Sequence, residues 1–124
     1  MADGGGPRPP RGDGGRGMRW RLSIRLCRTD GQAILLLDGR LGHSTVPELQ
    51  AAARPLLSEG VPHLVLDLSS VDYLSSAALE AIEEMSRDLA GKGGRLTLRA
   101  PADPVRIALE LSGDLLPHID PPRE

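Results

Sequence analysis

Between Arg21 and Ile119 the hydrophobic period switches repeatedly between two and about 3.6, and this alternation restricts the fold more than any single motif. Leu22, Ile24 and Leu26 share one side of a segment whose other side holds Ser23 and Arg25, the pattern of a half-buried strand. Thr29-Asp30-Gly31 is a tight turn, so the aliphatic run Ala33 to Leu37 returns as the second arm of a hairpin, with Gly39 near its end. Thr45-Val46-Pro47-Glu48 reads as a helix start, with Thr45 as cap, Glu48 three residues on, and proline tolerated in the first turn. Leu49, Ala52, Ala53, Leu56 and Leu57 then share a helical face until Glu59-Gly60. His63 to Leu68 is a buried strand and Ser69 to Ser75 a loop. Ala77 to Ala90 is the clearest amphipathic helix, with Leu79, Ile82, Met85 and Leu89 on one face and Gly91-Lys92-Gly93-Gly94 at its end. Arg95 to Arg99 is a strand, Pro104 to Leu111 a short helix, and Leu115 to Ile119 a candidate edge strand.

The order β-β-α-β-α-β-α, with room for a final β, implies a single small α/β domain. Its sheet is mixed, four- to five-stranded and largely parallel, with about three crossover or packing helices. The 124 residues agree with one core. Residues 1–17 contain seven glycines, three prolines and three arginines and are expected to be a disordered leader, with Met18 an alternative start. The domain then covers 18–120, and 121–124 is a fraying tail.

Composition removes several functions. The net charge is −2 and aromatics make up 2% of the chain, which argues against nucleic-acid binding. No apolar run reaches the ~20 residues that cross a bilayer, and the leader lacks the apolar stretch of a secretory signal, so a cytoplasmic protein without direct membrane insertion is expected. Cys27, the only cysteine, is read as a small strand residue. His43, His63 and His118 are scattered, so no metal site is expected. No nucleophile–base pair or phosphate loop suggests an enzyme, and no cofactor is implied. Asp67 ends a strand as a receiver-domain phosphoacceptor does, but the acidic pair and late lysine of a receiver are missing, Lys92 being the only lysine. Asp67 is instead read as capping nearby N–H groups or shaping a loop, and Asp72 as bonding within its loop. Trp20 is left to cover one end of the sheet or to lie at a dimer contact.

Ligands and partners of α/β sheets meet the turns after strand ends. The turn after Leu68 carries Ser75 and Ser76 where loop becomes helix, followed by the small residues Ala77 and Ala78. Two roles are open there: a serine N-cap, or a modifiable hydroxyl whose phosphate would add about −1.5 to −2 charges to an exposed helix start.

The stretch Leu64-Val-Leu-Asp67-Leu-Ser-Ser-Val71-Asp72-Tyr73-Leu74-Ser75-Ser76-Ala77-Ala78-Leu79 resembles the signature of STAS domains, which include bacterial anti-sigma-factor antagonists. Leu37-Asp38-Gly39-Arg40-Leu41, Gly91-Lys-Gly-Gly-Arg95-Leu-Thr-Leu98 and Pro104-Val105 through Gly113 resemble flanking family motifs in the same order, so the similarity spans Leu22 to Ile119. The resemblance implies a protein that acts by binding an anti-sigma factor, usually a GHKL-type serine kinase. That kinase phosphorylates a serine at the second helix start and so ends the complex, and a separate phosphatase of PP2C type restores it. Carried onto this chain, the phosphorylated position falls on Ser76, with Ser75 as the alternative. Ala77 stands where the family often has serine. Ala78 replaces a frequent glycine, which matters only if that backbone needs a glycine conformation or very close approach. The implied partner surface comprises Asp72, Tyr73, Leu74, Ser75, Ser76, Ala77, Ala78 and Leu79, with neighbouring contacts from Gly39 and Leu41 on toward Thr45. The resemblance fits a second class nearly as well: a STAS subunit of a lipid-transport ABC complex, docked on an ATPase subunit without a phosphate cycle.

Overall fold

Each of the three crossovers in this chain steps the sheet in one direction, so right-handed connections put every helix on the same face. The computed structural model describes residues 21–121. The expected leader over 1–17, Met18, Trp20 and most of the expected tail lie outside them. Strands β1 (Leu22–Thr29), β2 (Gln32–Leu41), β3 (His63–Leu74), β4 (Arg95–Arg99) and β5 (Ile119–Asp120) lie side by side in sequence order. The β1–β2 pair is antiparallel and the other pairs are parallel. Helices α1 (Val46–Glu59), α2 (Ser76–Gly91) and α3 (Asp103–Leu111) connect the parallel strands.

The hairpin forms because Asp30 and Gly31 make a two-residue turn between paired Thr29 and Gln32, with Gly31 at φ 74°. The helix-facing side of the sheet is aliphatic: Leu35 and Leu37, Leu64, Leu66 and Leu68, and Leu96 and Leu98 are all buried. Against them pack Leu49, Ala53 and Leu56 of α1, Ala78, Ile82, Met85 and Leu89 of α2, and Val105 and Leu109 of α3. Each fully buried leucine stabilises the fold by about 1.5–3 kcal/mol. Gly60, in the left-handed region at φ 74°, ends α1. Beyond α3, a one-turn 3-10 segment (Leu116–His118) is tied in by His118, whose Nδ1 lies 3.1 Å from the Leu96 carbonyl and Nε2 3.1 Å from Ser86 Oγ.

Among the described residues no helix packs on the other sheet face. Cross-strand neighbours there satisfy one another. Gln32 Nε2 is 3.3 Å from His63 Nδ1, and His63 Nε2 is 2.7 Å from Thr97 Oγ1. Asp67 accepts from the Ser69 backbone and hydroxyl and from Arg99, at 2.8 Å to the guanidinium.

Four expectations about the elements and their packing differ from this structure. The segment read as a loop, Ser69 to Ser75, is strand through Leu74. Leu115 to His118 is turn and 3-10 helix, so the last strand starts only at Ile119. Leu26 is half exposed, because the helices cover β1 only near Leu22 and Ile24. Thr45 does not cap α1: its backbone is already helical at φ −104°, ψ −12°, and its hydroxyl turns back toward the preceding loop.

Candidate functional site

The extension of β3 creates the site. Beyond the Asp67–Arg99 pair, β4 ends and β3 runs on beside β2 alone. Two register shifts occur there. From Leu36 to Leu41, five steps on β2 face seven on β3, Asp67 to Leu74. Each shift absorbs one extra β3 residue, so Leu68, Val71 and Leu74 all point into the core at a spacing of three. The residues between them, Ser69 and Ser70, then Asp72 and Tyr73, are pushed outward and exposed.

Gly39 makes the close approach of β1 possible. It sits at φ 131°, and a Cβ there would lie 2.2 Å from the Arg21 carbonyl oxygen. That carbonyl accepts the Arg40 N–H at 3.0 Å. Thr45 locks the following loop: its hydroxyl donates to the Arg40 carbonyl at 2.6 Å and accepts the Gly42 N–H at 2.9 Å, in a position 1% exposed. Leu41 and Leu74 pair in register, and the Ser75 N–H donates to the Leu41 carbonyl at 2.9 Å. The β2 end therefore fixes where α2 begins.

The two serines do different things. Ser75 is extended at φ −88°, ψ 170°, and its Oγ accepts the Ala78 N–H at 3.2 Å, so it is the N-cap of α2. Ser76 is the first helical residue and is exposed. Among the described residues its hydroxyl makes no side-chain hydrogen bond, and it stands where the free N–H groups of the first turn favour negative charge. Ala78 lies inside the helix and is fully buried, an ordinary helical position that alanine suits.

The structure thus divides the expected partner surface. Asp72, Tyr73 and Ser76 are exposed, Tyr73 by 43%, and Ser75, Ala77 and Leu79 are half-buried. Leu41, Leu74 and Ala78 have their side chains in the core and shape the surface from beneath, while Gly39 contributes backbone. Asp72 does not bond within a loop; it is a strand residue whose carboxylate lies 3.7 Å from the Arg40 guanidinium. The sequence offered Thr45 only as a helix cap and as the limit of the neighbouring contacts, and Arg40 only inside the Gly39–Leu41 motif; neither was given its role in holding the loop. Asp67 does accept nearby N–H and O–H groups as expected, and its partner Arg99 lies a strand away, where sequence spacing carried no signal.

Among the described residues two titrating groups are shifted, both on the sheet face opposite the helices. Burial, helped by the charge of Arg95, lowers the His63 pKa below the usual imidazole value. For Asp67 burial pulls upward, but the hydrogen bonds from Ser69 and the pairing with Arg99 outweigh it and hold the carboxyl below the usual range. Among the described residues no group of three or more His, Cys, Asp or Glu side chains could hold a metal ion. None of their helices is long and apolar enough to cross a membrane.

A family model described as "Mlab, STAS domain" matches residues 24–115. A Bordetella bronchiseptica protein named "Putative anti-sigma factor antagonist BtrV" is 30% identical over 94 residues, covering 76% of this chain and 81% of that one. Among solved structures, the anti-sigma factor antagonist SpoIIAA in its unphosphorylated form superposes with a TM-score of 0.70 at 22% identity, over 78% of this chain and 85% of that one. An anti-sigma factor antagonist from Mycobacterium paratuberculosis gives 0.69 at 25% identity, over 75% and 79%.

Proposed function

The chain belongs to the STAS domain family, and from that premise we propose that it is an anti-sigma-factor antagonist, switched off by phosphorylation of Ser76. One observation carries the assignment to Ser76 over Ser75: the cap hydroxyl is already engaged by the Ala78 N–H, while the neighbouring hydroxyl is exposed and unengaged at the first helical position. The names of its relatives support the antagonist reading.

The mechanism follows from charge and solvation. Unphosphorylated, Ser76 is a small hydroxyl in a surface that includes Asp72, Tyr73 and Ala77. A partner can close over it at little cost. A phosphate at the same place is favoured by the helix start by about 0.3–1 kcal/mol, so the domain keeps its fold. Burying that phosphate under a partner without a matched cation costs several kcal/mol, enough to change affinity by orders of magnitude. The partner on this reading is an anti-sigma factor that is also a GHKL-type serine kinase, met in the cytoplasm, with a PP2C-type phosphatase resetting the serine. The chain acts by binding and catalyses nothing.

The family match fits a second reading as well: a STAS subunit docked on the ATPase of a lipid-transport ABC complex, without a phosphate cycle. A pull-down from the native organism separates the two. Glu-specific cleavage after Glu59 and Glu80 isolates residues 60–80 with both serines. A co-purifying GHKL-type kinase with phosphate on Ser76 supports the first reading. An ABC ATPase with an unmodified peptide replaces it by the second.

A further inference from the structure

A trough runs between α1 and α2, starting beside the Ser76 helix start. Its upper part, about 260 Å³, is bounded by His43 and Pro47 on one side and Ala77 and Glu80 on the other. Its lower part, about 310 Å³, has Ala53 and Met85 beneath it, carries Arg54 on the α1 side and ends at Asp88 and Lys92, so the acidic excess lies in the upper part. Gln50, Ala81 and Glu84 line both parts, so the two are continuous. The α2 wall is acidic at one helical spacing: Glu80, Glu84 and Asp88 follow Ser76 at intervals of four and all are exposed. Asp88 is 3.5 Å from Lys92, but no cation of the described residues pairs with Glu80 or Glu84.

The chain carries its own complement. Residues 21–121 hold ten Lys and Arg against fourteen Asp and Glu, a net −4. Residues 1–20 hold Arg8, Arg11, Arg16 and Arg19 against Asp3 and Asp13, a net +2. Arg21, the first described residue, stands beside the trough's upper end. The Arg21 carbonyl is bonded to Arg40, and the next residue, Leu41, holds the Ser75 N–H. The trough wall from Ser76 to Asp88 is about 18 Å of helix, and a twenty-residue glycine-rich chain reaches about 25 Å. Tethering at that length supplies an effective concentration on the order of millimolar.

We propose that residues 1–20 dock in cis in the α1–α2 trough, their arginines against Glu80 and Glu84, and so stand beside the surface that the partner must reach. Phosphate on Ser76 extends the acidic stripe by one turn and strengthens the docking. This last step rests on the reading of Ser76 as the switch; the docking itself does not.

The test uses the full chain with Cys27→Ser and a nitroxide on Gly12→Cys, and reads amide broadening by NMR at low salt with no partner present. Broadening concentrated on amides from Ala77 to Asp88, and reduced severalfold both by Glu80→Gln with Glu84→Gln and by about 1 M salt (Debye length about 3 Å), supports the proposal. Even broadening over the surface, or broadening indifferent to the two glutamates, overturns it. Broadening that arises when spin-labelled chain is mixed with separate isotope-labelled chain makes a second copy the occupant and also overturns it. Ser76→Glu should increase the effect at Ala77 to Glu84; no increase removes the coupling to the switch while leaving the docking result intact.

Discussion

Replacing Ser75 and Ser76 one at a time should separate a structural hydroxyl from a signalling one. Ser75→Ala removes the acceptor of the Ala78 N–H. Loss of an N-cap costs about 0.5–2 kcal/mol. Ala78 is fully buried, so its N–H is poorly placed to find water instead, and the cost belongs in the upper half of that range. For a domain of this size, 1 kcal/mol lowers Tm by about 4–8 °C. Ser76→Ala removes an exposed hydroxyl with no side-chain partner among the described residues and improves helix propensity, so stability should stay within about 0.5 kcal/mol. Ser76→Asp places a carboxylate at the helix start and should stabilise by about 0.3–1 kcal/mol. Binding to the anti-sigma factor should rank differently. Ser75→Ala and Ser76→Ala should bind, and Ser76→Asp should lose affinity by at least tenfold while being the most stable of the three. Urea unfolding and calorimetric titration on the same preparations read both scales. If Ser76→Ala loses as much stability as Ser75→Ala, the division of labour between the serines is wrong. Equal affinity of Ser76→Ala and Ser76→Asp would refute the switch.

Gly39→Ala should cost about 2–4 kcal/mol in urea unfolding, combining a left-handed backbone with displacement of the Arg21 carbonyl and its bond to Arg40; a loss below 1 kcal/mol would mean β1 can move away freely. Ala78→Gly should lose about 1–2 kcal/mol, from helix propensity and one buried methyl, with no gain in partner binding. The lowered His63 pKa means the unfolded chain takes up its proton first, so stability should fall as pH drops below about 6.5 until the folded His63 is also protonated; His63→Gln should flatten the unfolding free energy across that window. Asp67 works in the same sense at lower pH: its contribution is present above the unfolded carboxyl value of about 3.9 and is lost as pH falls through its lower folded value, so Asp67→Asn should remove the steepest part of acid unfolding.

The element order was legible because the aliphatic residues keep a strict period wherever an element packs on both neighbours. Leu64, Leu66 and Leu68 alternate, and Ile82, Met85 and Leu89 follow a helical face. Asp30-Gly31 marked the hairpin because few pairs tolerate that turn. The signal failed where one side of an element is open. Leu26 alternates correctly yet lies half exposed, because sequence shows which face a residue takes but not how far a helix reaches across it. Thr45 has the composition of a cap, but a buried hydroxyl with the Arg40 carbonyl and the Gly42 N–H in reach holds the loop instead. The Asp67–Arg99 pair joins residues 32 apart, a distance that no local pattern encodes.

The largest misreading, the loop drawn over Ser69 to Ser75, falls on the candidate site itself, and the two facts have one cause. A regular strand cannot bury residues three apart, so Leu68, Val71 and Leu74 broke the period of two, and serines and aspartates filled the gaps. The fold resolves that spacing with two bulges against β2. Those bulges turn Asp72 and Tyr73 outward, bring Leu74 level with Leu41, and deliver Ser75 to the Leu41 carbonyl as the cap of α2. Deleting one residue between Leu68 and Val71 would remove one bulge and keep Val71 and Leu74 on the core face, with Val71 at regular spacing from Leu68, but it would also remove one of the residues that the bulge turns outward. The irregularity that hid the strand from the sequence is therefore also what sets Asp72 and Tyr73 on the surface beside Ser76.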